Sequence, residues 1–272
     1  MGRVPAISES LILERDGAVQ WVRLNRPEKR NGIDFELRDQ LIALFPMLDA
    51  EPEIRAVVIT GTGKDFCTGG DLTPRGDTKI AVRTKIGILD YRSHVATWQR
   101  LFQALWEMET PVVSAVNGTT AGAGWMLALL ADLVVAAEGA RWTHVFARRG
   151  MVPHGGDGFF LPRIIGFHRL NEIALLSDGV TSETLHDWGI VNRLVSPDQV
   201  EATASELAQR LASGPTRSLG MTKRLYRRSL VSDMATSFAE EATATAMISQ
   251  TEDRAEGVKS LIEGRKANFI GN

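Results

Sequence analysis

Residues 117–132 read NGTTAGAGWMLALLAD, a run of small residues that passes into an apolar helix pattern. The stretch overlaps PVVSAVNG at 111–118, whose β-branched residues indicate a buried strand. A glycine-rich turn between a strand and a helix leaves the first N–H groups of the helix accessible, at the positive end of the helix dipole. Since none of the side chains from 117 to 130 titrates near neutral pH, we expect the turn to act through its backbone.

A second glycine-rich turn follows the preceding strand pattern. RAVVITG at 55–61 indicates a buried strand, and KDFCTGGDL at 64–72 comes directly after it. Neither turn has the spacing of a P-loop or of G-x-G-x-x-G, so neither predicts a nucleotide phosphate site. Two converging backbone donors can instead form an oxyanion hole, which stabilises negative charge on a carbonyl oxygen. The alternative is that the glycines only permit tight packing between strand and helix.

The rest of the chain extends this alternation of strands and helices. We predict a hairpin of strands at 11–16 and 18–25 around Gly17, a helix at 34–48 with Asp34 as its N-cap, a helix within 79–108, and a strand at 132–139. This order predicts an α/β fold with crossover connections. After Pro197 every segment is helix-like, so we expect a core at 1–197 and a helical C-terminal region at 198–272.

Composition excludes several classes of protein. The 272 residues are 44% hydrophobic and carry a formal net charge of −2, which favours a globular enzyme over a nucleic-acid or membrane-surface protein. The single cysteine, Cys67, cannot form an intrachain disulfide. The N-terminus lacks the apolar run of a secretory signal, and no segment has the roughly 20 apolar residues of a membrane span. We therefore expect a cytoplasmic protein.

Five blocks of the sequence resemble the crotonase family, also called the enoyl-CoA hydratase/isomerase superfamily. They are LNRPEKRNG at 24–32, FCTGGDL at 66–72, AVNGTTAGAGWMLALLADLVVAAEGARW at 115–142, GMVPHGGDGFFLPRIIG at 150–166 and SLIEGRKANF at 260–269. The resemblance implies a ββα spiral, a helical C-terminal region that forms trimers or dimers of trimers, and an acyl-CoA thioester as ligand. Coenzyme A is then part of the substrate, and neither a permanent cofactor nor a metal is expected. The resemblance places the oxyanion-hole N–H groups at Gly70 and Ala123.

The chain departs from the family at two positions. Hydratases of the family use two glutamates to add water, and here those positions hold Met126 and Phe146, which we expect to be apolar pocket residues. Family members that isomerise acyl-CoA substrates carry an acidic residue in the next block, at the position of His154. A histidine with an ordinary pKa of about 6.5 can move a proton at neutral pH. His154 is therefore the predicted catalytic group, and the alternative is an exposed loop histidine.

Other candidates receive less weight. For Asp157 we expect the role of a helix N-cap rather than a catalytic role. His144 either reaches the pocket or is a structural residue. Tyr91, Arg92 and His94 lie in the region that lines the acyl pocket of such enzymes. For the coenzyme, two basic clusters can neutralise phosphates: Arg26, Lys29 and Arg30 in one, and Arg265 and Lys266 in the other. The resemblance places Phe269 on adenine, and the alternative for the basic residues is a set of solvated charges.

The predicted function is that of an acyl-CoA isomerase or lyase that forms an enolate, with double-bond isomerisation favoured over hydration. One alternative is a hydrolase that cleaves a C–C bond of a cyclic β-diketone without CoA, as in a branch of the family that also lacks the glutamates. A second is a subunit that has lost catalysis and binds thioesters or a partner. Retention of both glycine turns argues against this last interpretation.

Overall fold

The computed structural model describes residues 8–72 and 87–272 of the chain. Its strands form two sheets. The larger sheet contains six strands: β1 (Leu11–Asp16), β2 (Val19–Leu24), β3 (Ala56–Gly61), β5 (Val112–Val116), β7 (Leu133–Ala137) and β10 (Arg193–Val195). The smaller contains four: β4 (Asp65–Cys67), β6 (Thr119–Ala121), β8 (Arg141–Thr143) and β9 (Val180–Thr181). The predicted strands all lie in the larger sheet.

The chain forms a spiral, and each turn of the spiral contributes one strand to each sheet. Strand β3 is followed by β4, β5 by β6, and β7 by β8, so the two sheets grow side by side. Beyond the antiparallel hairpin of β1 and β2, neighbouring strands of the larger sheet are parallel, with Ile59 opposite Ser114 and Ser114 opposite Val134. β3 is buried along its whole length, as its β-branched sequence predicts. The predicted α/β spiral is thus confirmed.

The helices that carry the site cover the larger sheet and the space between the sheets. They are α1 (Phe35–Ala50), α2 (Ile88–Trp106), α3 (Ala123–Leu129), α4 (Asp157–Asn171) and α5 (Ser182–Asp187). Asp34 caps α1 as predicted, because its carboxylate accepts a hydrogen bond from the Leu37 amide at 3.0 Å. The part of the predicted helix at 79–108 that precedes residue 87 lies outside the described residues.

From Val200 onward the described chain has helices and no strand. These are α6 (Val200–Ala212), α7 (Thr216–Ser229), α8 (Met234–Ile248) and α9 (Glu252–Glu263). In α6 the buried residues Val200, Ala204, Ala208 and Ala212 recur every four positions and pack on the larger sheet. Helix α6 therefore shares the core, whereas α8 and α9 leave large apolar side chains such as Phe238 and Leu261 exposed. None of the helices in the described part of the chain is long and apolar enough to cross a lipid bilayer.

Candidate active site at two glycine turns

The two glycine-rich turns contact each other through their backbones. Gly69 has a φ of 96° and Gly122 a φ of 52°, conformations that L side chains rarely adopt. A Cβ at Gly69 would lie 3.0 Å from the Ala121 oxygen and 3.3 Å from the Ala123 nitrogen. Any side chain at Gly69 would therefore push the turns apart and cover the Ala123 amide.

Close packing is also a role of these small residues. A Cβ at Gly124 would lie 2.1 Å from the Cys67 carbonyl oxygen, and one at Gly118 would lie 1.9 Å from the Lys64 oxygen. The alternative interpretation, that the glycines permit tight packing, therefore holds for Gly118 and Gly124. Gly118 and Gly124 bring the turns together, and this contact places Gly69 and Gly70 against the beginning of helix α3.

Hydrogen bonds hold the first turn on both sides of Gly70. The Ile33 amide donates to the Gly69 oxygen at 2.8 Å, and the Asp71 amide donates to the Ile33 oxygen at 2.8 Å. Ala123 is the first residue of α3, where an amide has no partner one turn back in the helix. Within residues 8–72 and 87–272, neither the Gly70 amide nor the Ala123 amide donates a turn, loop or cap hydrogen bond. Both donors are available to a ligand.

Gly70 and Ala123 line one cavity of about 250 Å³. Most of its wall is aromatic or aliphatic, and the residues that line it are Phe35, Gly70, Asp71, Leu72, Tyr91, His94, Trp98, Phe102, Gly122, Ala123, Val145, Phe146, Arg149, Met151 and His154. An apolar wall lowers the local dielectric constant, which strengthens hydrogen bonds to a developing negative charge. Two backbone donors in such a wall can hold a carbonyl oxygen as it becomes an oxyanion.

His154 also lines the cavity, as the sequence predicts. Its Nδ1 lies 3.1 Å from the Val152 oxygen, and its ring contacts Phe146 edge to face with centroids 4.9 Å apart. Since a carbonyl oxygen only accepts hydrogen bonds, Nδ1 is the donor in this contact, and in the neutral ring Nε2 is then the acceptor. In the described part of the chain Nε2 has no hydrogen-bond partner. His154 is thus held in a tautomer that can accept a proton.

A second histidine, His94, faces the same cavity from helix α2. Its Nε2 accepts a hydrogen bond from Trp98 Nε1 at 3.3 Å. The pKa of His94 lies below its ordinary value, chiefly through burial and also through the nearby charges of Arg38 and His154. His94 was a weak candidate because the sequence leaves the register of α2 open, and the structure fixes that register. Trp98 and Leu105 belong to its buried stripe, and His94 stands one turn before Trp98.

The other two candidates on α2, Tyr91 and Arg92, differ in whether they line the cavity. Tyr91 lines the cavity, and its ring centroid lies 6.0 Å from that of His94. Arg92 is exposed and does not line the cavity.

The expected capping role of Asp157 is wrong. Gly156 occupies the N-cap position of α4, and no side chain caps this helix end. Asp157 is buried, and its Oδ2 lies 2.5 Å from His144 Nε2. The carboxylate turns inward because it accepts the His144 N–H. His144 is 1% exposed and does not line the cavity. Of the two roles considered for it, a residue that reaches the pocket or a structural residue, the geometry favours the structural one.

The two positions of the family glutamates differ from each other. Phe146 lines the cavity and covers the gap between His144 and His154. Met126 is fully buried in α3 and does not line the cavity. A Cβ at Gly155 would lie 2.5 Å from Met126 Cγ, so the methionine packs under the loop that carries His154. Met126 supports the pocket from behind, contrary to the expectation that it forms part of the wall.

The structure divides the residues predicted to bind the coenzyme. Arg26 is buried, and its guanidinium contacts Asp71 at 2.8 Å and Asp34 at 3.2 Å, which argues against a role at phosphates. Asp71 is distant from Arg26 in the sequence, and the fold brings the two side chains into contact. Arg30 is exposed but contacts Asp65 at 2.9 Å.

Three other predicted coenzyme residues have different surroundings. Lys29 is partly exposed on the turn that precedes α1. Lys266 is exposed near the C-terminus, and the Phe269 ring packs beside Gly257. None of the three lines the cavity. No group of three His, Cys, Asp or Glu in the described residues is placed to hold a metal ion.

The structure thus has a spiral of largely parallel strands in which Gly70 and Ala123, one from each glycine turn, line the same apolar cavity. The family model for enoyl-CoA hydratase/isomerase matches residues 14–272. The chain is 31% identical over 263 residues to 1,2-epoxyphenylacetyl-CoA isomerase of Escherichia coli K12, covering 97% of this chain and 99% of that protein. This chain belongs to the enoyl-CoA hydratase/isomerase family.

Two further comparisons agree with this family. The crotonyl-CoA hydratase of Syntrophomonas wolfei is 28% identical over 267 residues, which span 96% of this chain and 98% of that protein. The crystal structure of an enoyl-CoA hydratase/isomerase from Cupriavidus metallidurans CH34 superposes with a TM-score of 0.88 at 28% identity, covering 97% of each chain. The relatives thus include both a hydratase and an isomerase.

Proposed function

We propose that this protein binds an acyl-CoA thioester, holds its carbonyl oxygen between the amides of Gly70 and Ala123, and moves a proton with His154. Double-bond isomerisation through an enolate is the reaction we assign. The observation that carries the proposal is that both free amides and His154 line one apolar cavity. Three groups from different elements are placed around the same small volume, and each supplies a part of enolate chemistry.

The reaction follows from the protonation of His154. Its Nε2 takes a proton from the substrate carbon next to the double bond, and the electron pair moves to the thioester oxygen. The Gly70 and Ala123 amides stabilise that oxyanion. The resulting imidazolium then returns the proton to a different carbon, so that a 3-enoyl thioester becomes a 2-enoyl thioester. No atoms are gained or lost, and no second reactant is required.

Hydration is disfavoured because it needs groups that hold and split water. One family glutamate position holds Phe146, an apolar ring in the cavity wall. The other holds Met126, which is buried beneath Gly155 and cannot reach a water molecule in the cavity. His154 alone would have to orient the water and transfer both protons.

The coenzyme site and the assembly are a second part of the proposal. We assign Lys29, Arg30 and Lys266 to the coenzyme phosphates and Phe269 to adenine, in a cytoplasmic homotrimer or dimer of trimers. The support for Lys29 and Arg30 is that their turn lies directly against the first glycine turn. The Thr68 amide donates to the Arg30 oxygen at 3.2 Å, and Ile33 forms a β-bridge with Gly70.

The test is to incubate the protein with a panel of 3-enoyl-CoA thioesters in D₂O and to follow the products by NMR. We expect 2-enoyl thioesters as products, with deuterium at the receiving carbon only to the extent that the His154 proton exchanges with solvent before it is returned. Formation of 3-hydroxyacyl-CoA at a higher rate than isomerisation would contradict the proposal. Binding of CoA and acyl-CoAs is measured in parallel by calorimetry, because a hydrolase of cyclic β-diketones would bind neither. Binding without any turnover would indicate a non-catalytic thioester-binding subunit.

A further inference from the structure

The cavity carries a cation that the proposed proton transfer does not use. Arg149 ends the short helical turn at 147–149 and lines the cavity together with His154. Within residues 8–72 and 87–272, its guanidinium takes part in no ion pair and no hydrogen bond. Burial lowers the pKa of Arg149, and no nearby carboxylate opposes that shift. The residue is exposed to solvent as well as lining the cavity.

Backbone hydrogen bonds fix the place of Arg149 between two other wall residues. The Phe146 oxygen accepts hydrogen bonds from the Arg149 amide at 2.9 Å and from the Met151 amide at 3.0 Å. Gly150 closes the turn with a φ of 62°. Because Phe146 and Met151 both line the cavity, these bonds hold the backbone of Arg149 at the cavity wall.

The adjacent arginine has a different environment. Arg148 lies 3.6 Å from the carboxylate of Asp178 and does not line the cavity. Arg148 and Arg149 thus carry the same charge and lie in the same turn, but of the two only Arg149 lines the cavity proposed to bind the substrate. This pair supplies a matched control.

The other titratable groups around the cavity do not neutralise Arg149. The wall contains one described carboxylate, that of Asp71, and it is bonded to Arg26 at 2.8 Å. His94 and His154 supply no negative charge. Behind the wall, the Arg38 guanidinium lies 4.8 Å from the Phe35 ring centroid and is paired with Asp39. The described part of the cavity therefore favours an anionic ligand group in addition to the thioester oxygen.

We propose that Arg149 binds a carboxylate carried by the acyl group, so that the preferred substrates are CoA thioesters of dicarboxylic acids. The inference rests on the proposed function, because it takes the thioester to lie at Gly70 and Ala123. A guanidinium binds a carboxylate through two parallel hydrogen bonds, which adds both affinity and orientation. A neutral acyl chain of the same length would leave the cation beside apolar groups without a counter-ion.

The test compares two ligands that differ only in charge: glutaryl-CoA and the thioester formed from the monomethyl ester of glutaric acid. Dissociation constants are measured by calorimetry for the unmodified protein and for the Arg149→Gln and Arg148→Gln variants. The unmodified protein should bind glutaryl-CoA about tenfold more tightly than the ester, as expected for a hydrogen-bonded charge pair. Arg149→Gln should remove this preference, and Arg148→Gln should preserve it.

Three results would overturn the inference. The first is equal affinity of the unmodified protein for the two ligands. The second is equal weakening of glutaryl-CoA, the methyl ester and free CoA by Arg149→Gln, which would place Arg149 at a coenzyme phosphate. The third is failure of both thioesters to bind the folded protein, which would also refute the proposed function. Equal binding of both ligands, in contrast, would refute only the role of Arg149.

Discussion

Two histidines of this protein, His144 and His154, stand close together in the sequence and in the fold, yet their environments are opposite. His144 is 1% exposed, and its Nε2 lies 2.5 Å from the carboxylate of Asp157. His154 is partly exposed and lines the cavity, and among the described residues its ring makes one hydrogen bond, between Nδ1 and the Val152 oxygen at 3.1 Å. The ring of Phe146 lies between them, with centroid distances of 5.0 Å and 4.9 Å.

The difference shows what decides whether a histidine is available for catalysis. A carboxylate partner beside a histidine is often a sign of an active site, but here it is found on the buried histidine, which does not line the cavity. Among the described residues, His144 Nδ1 is buried and has no hydrogen-bond partner. His154 has a free nitrogen facing an apolar cavity. Access to the ligand thus separates the two roles more reliably than the strength of the hydrogen bond.

Replacing His154 should have the largest effect of the changes that test the comparison of His144 with His154. We expect His154→Ala to lower kcat by about 10²- to 10⁴-fold, because the variant lacks the group that moves the proton. Its free energy of unfolding should stay within about 0.5 kcal/mol of the original, since the side chain makes few contacts. Isomerase kinetics and urea unfolding measure the two quantities. The control is His168→Ala, at an exposed position of α4, which should change neither. Unchanged turnover in His154→Ala would exclude the residue from the mechanism.

Replacing Asp157 tests the opposite side of the comparison. We expect Asp157→Ala to lower the free energy of unfolding by about 3 kcal/mol, because the buried N–H of His144 loses its acceptor. The folded variant should retain near-normal kcat. Urea unfolding gives the stability, and kinetics are corrected for the folded fraction. Asp157→Asn keeps an acceptor oxygen and should cost less. A variant that kept its stability and lost turnover as His154→Ala does would show that the dyad takes part in the chemistry.

A smaller effect tests whether His94 and His154 face each other across the cavity. NMR titration should place the pKa of His94 below 6.5, and His154→Asn should move it upward because one nearby positive charge is removed. The same replacement at His168 should leave His94 unmoved. An unchanged pKa of His94 in His154→Asn would mean that the two rings are too far apart to act together.

The lowered pKa of His94 also sets a direction for stability. The folded state binds its proton less tightly than the unfolded state, whose histidine titrates near 6.5. The unfolded state therefore holds more protons below that pH, and the protein loses stability as the pH falls from about 6.5 through the folded-state pKa of His94. Above 6.5 His94 is neutral in both states and contributes no pH dependence. His94→Phe should reduce this loss in urea unfolding at acidic pH.

Local signals allowed much of the fold to be predicted. Strands β3 and β5 of the larger sheet lie in β-branched runs that end in glycine, and helix α1 has a clear apolar stripe with Asp34 at its beginning. The smaller sheet could not be predicted in this way. Strands such as Arg141–Thr143 are too short to show a period, and their extended conformation depends on neighbours in other turns of the spiral.

The site was predictable where one turn carried the signal and unpredictable where distant residues met. The two glycine turns were found from the sequence because their chemistry is in the backbone. The roles of Asp157 and Arg26 depended on partners elsewhere in the chain, His144 and Asp71, so local pattern suggested a cap and a phosphate ligand instead. Arg149 carried no distinguishing signal, since Arg148 beside it looks the same in the sequence.

The central claim is that the main-chain amides of Gly70 and Ala123 stabilise the thioester oxyanion. Replacing Ala123 by lactic acid through semisynthesis changes its N–H to an ester oxygen and leaves the side chain intact. The same replacement at Ala235, an exposed alanine near the beginning of α8, is the matched control. We predict that the ester at 123 lowers the kcat of isomerisation by about 10²- to 10³-fold while the control retains normal kcat. Equal kcat for the two esters would contradict the proposed role of these amides.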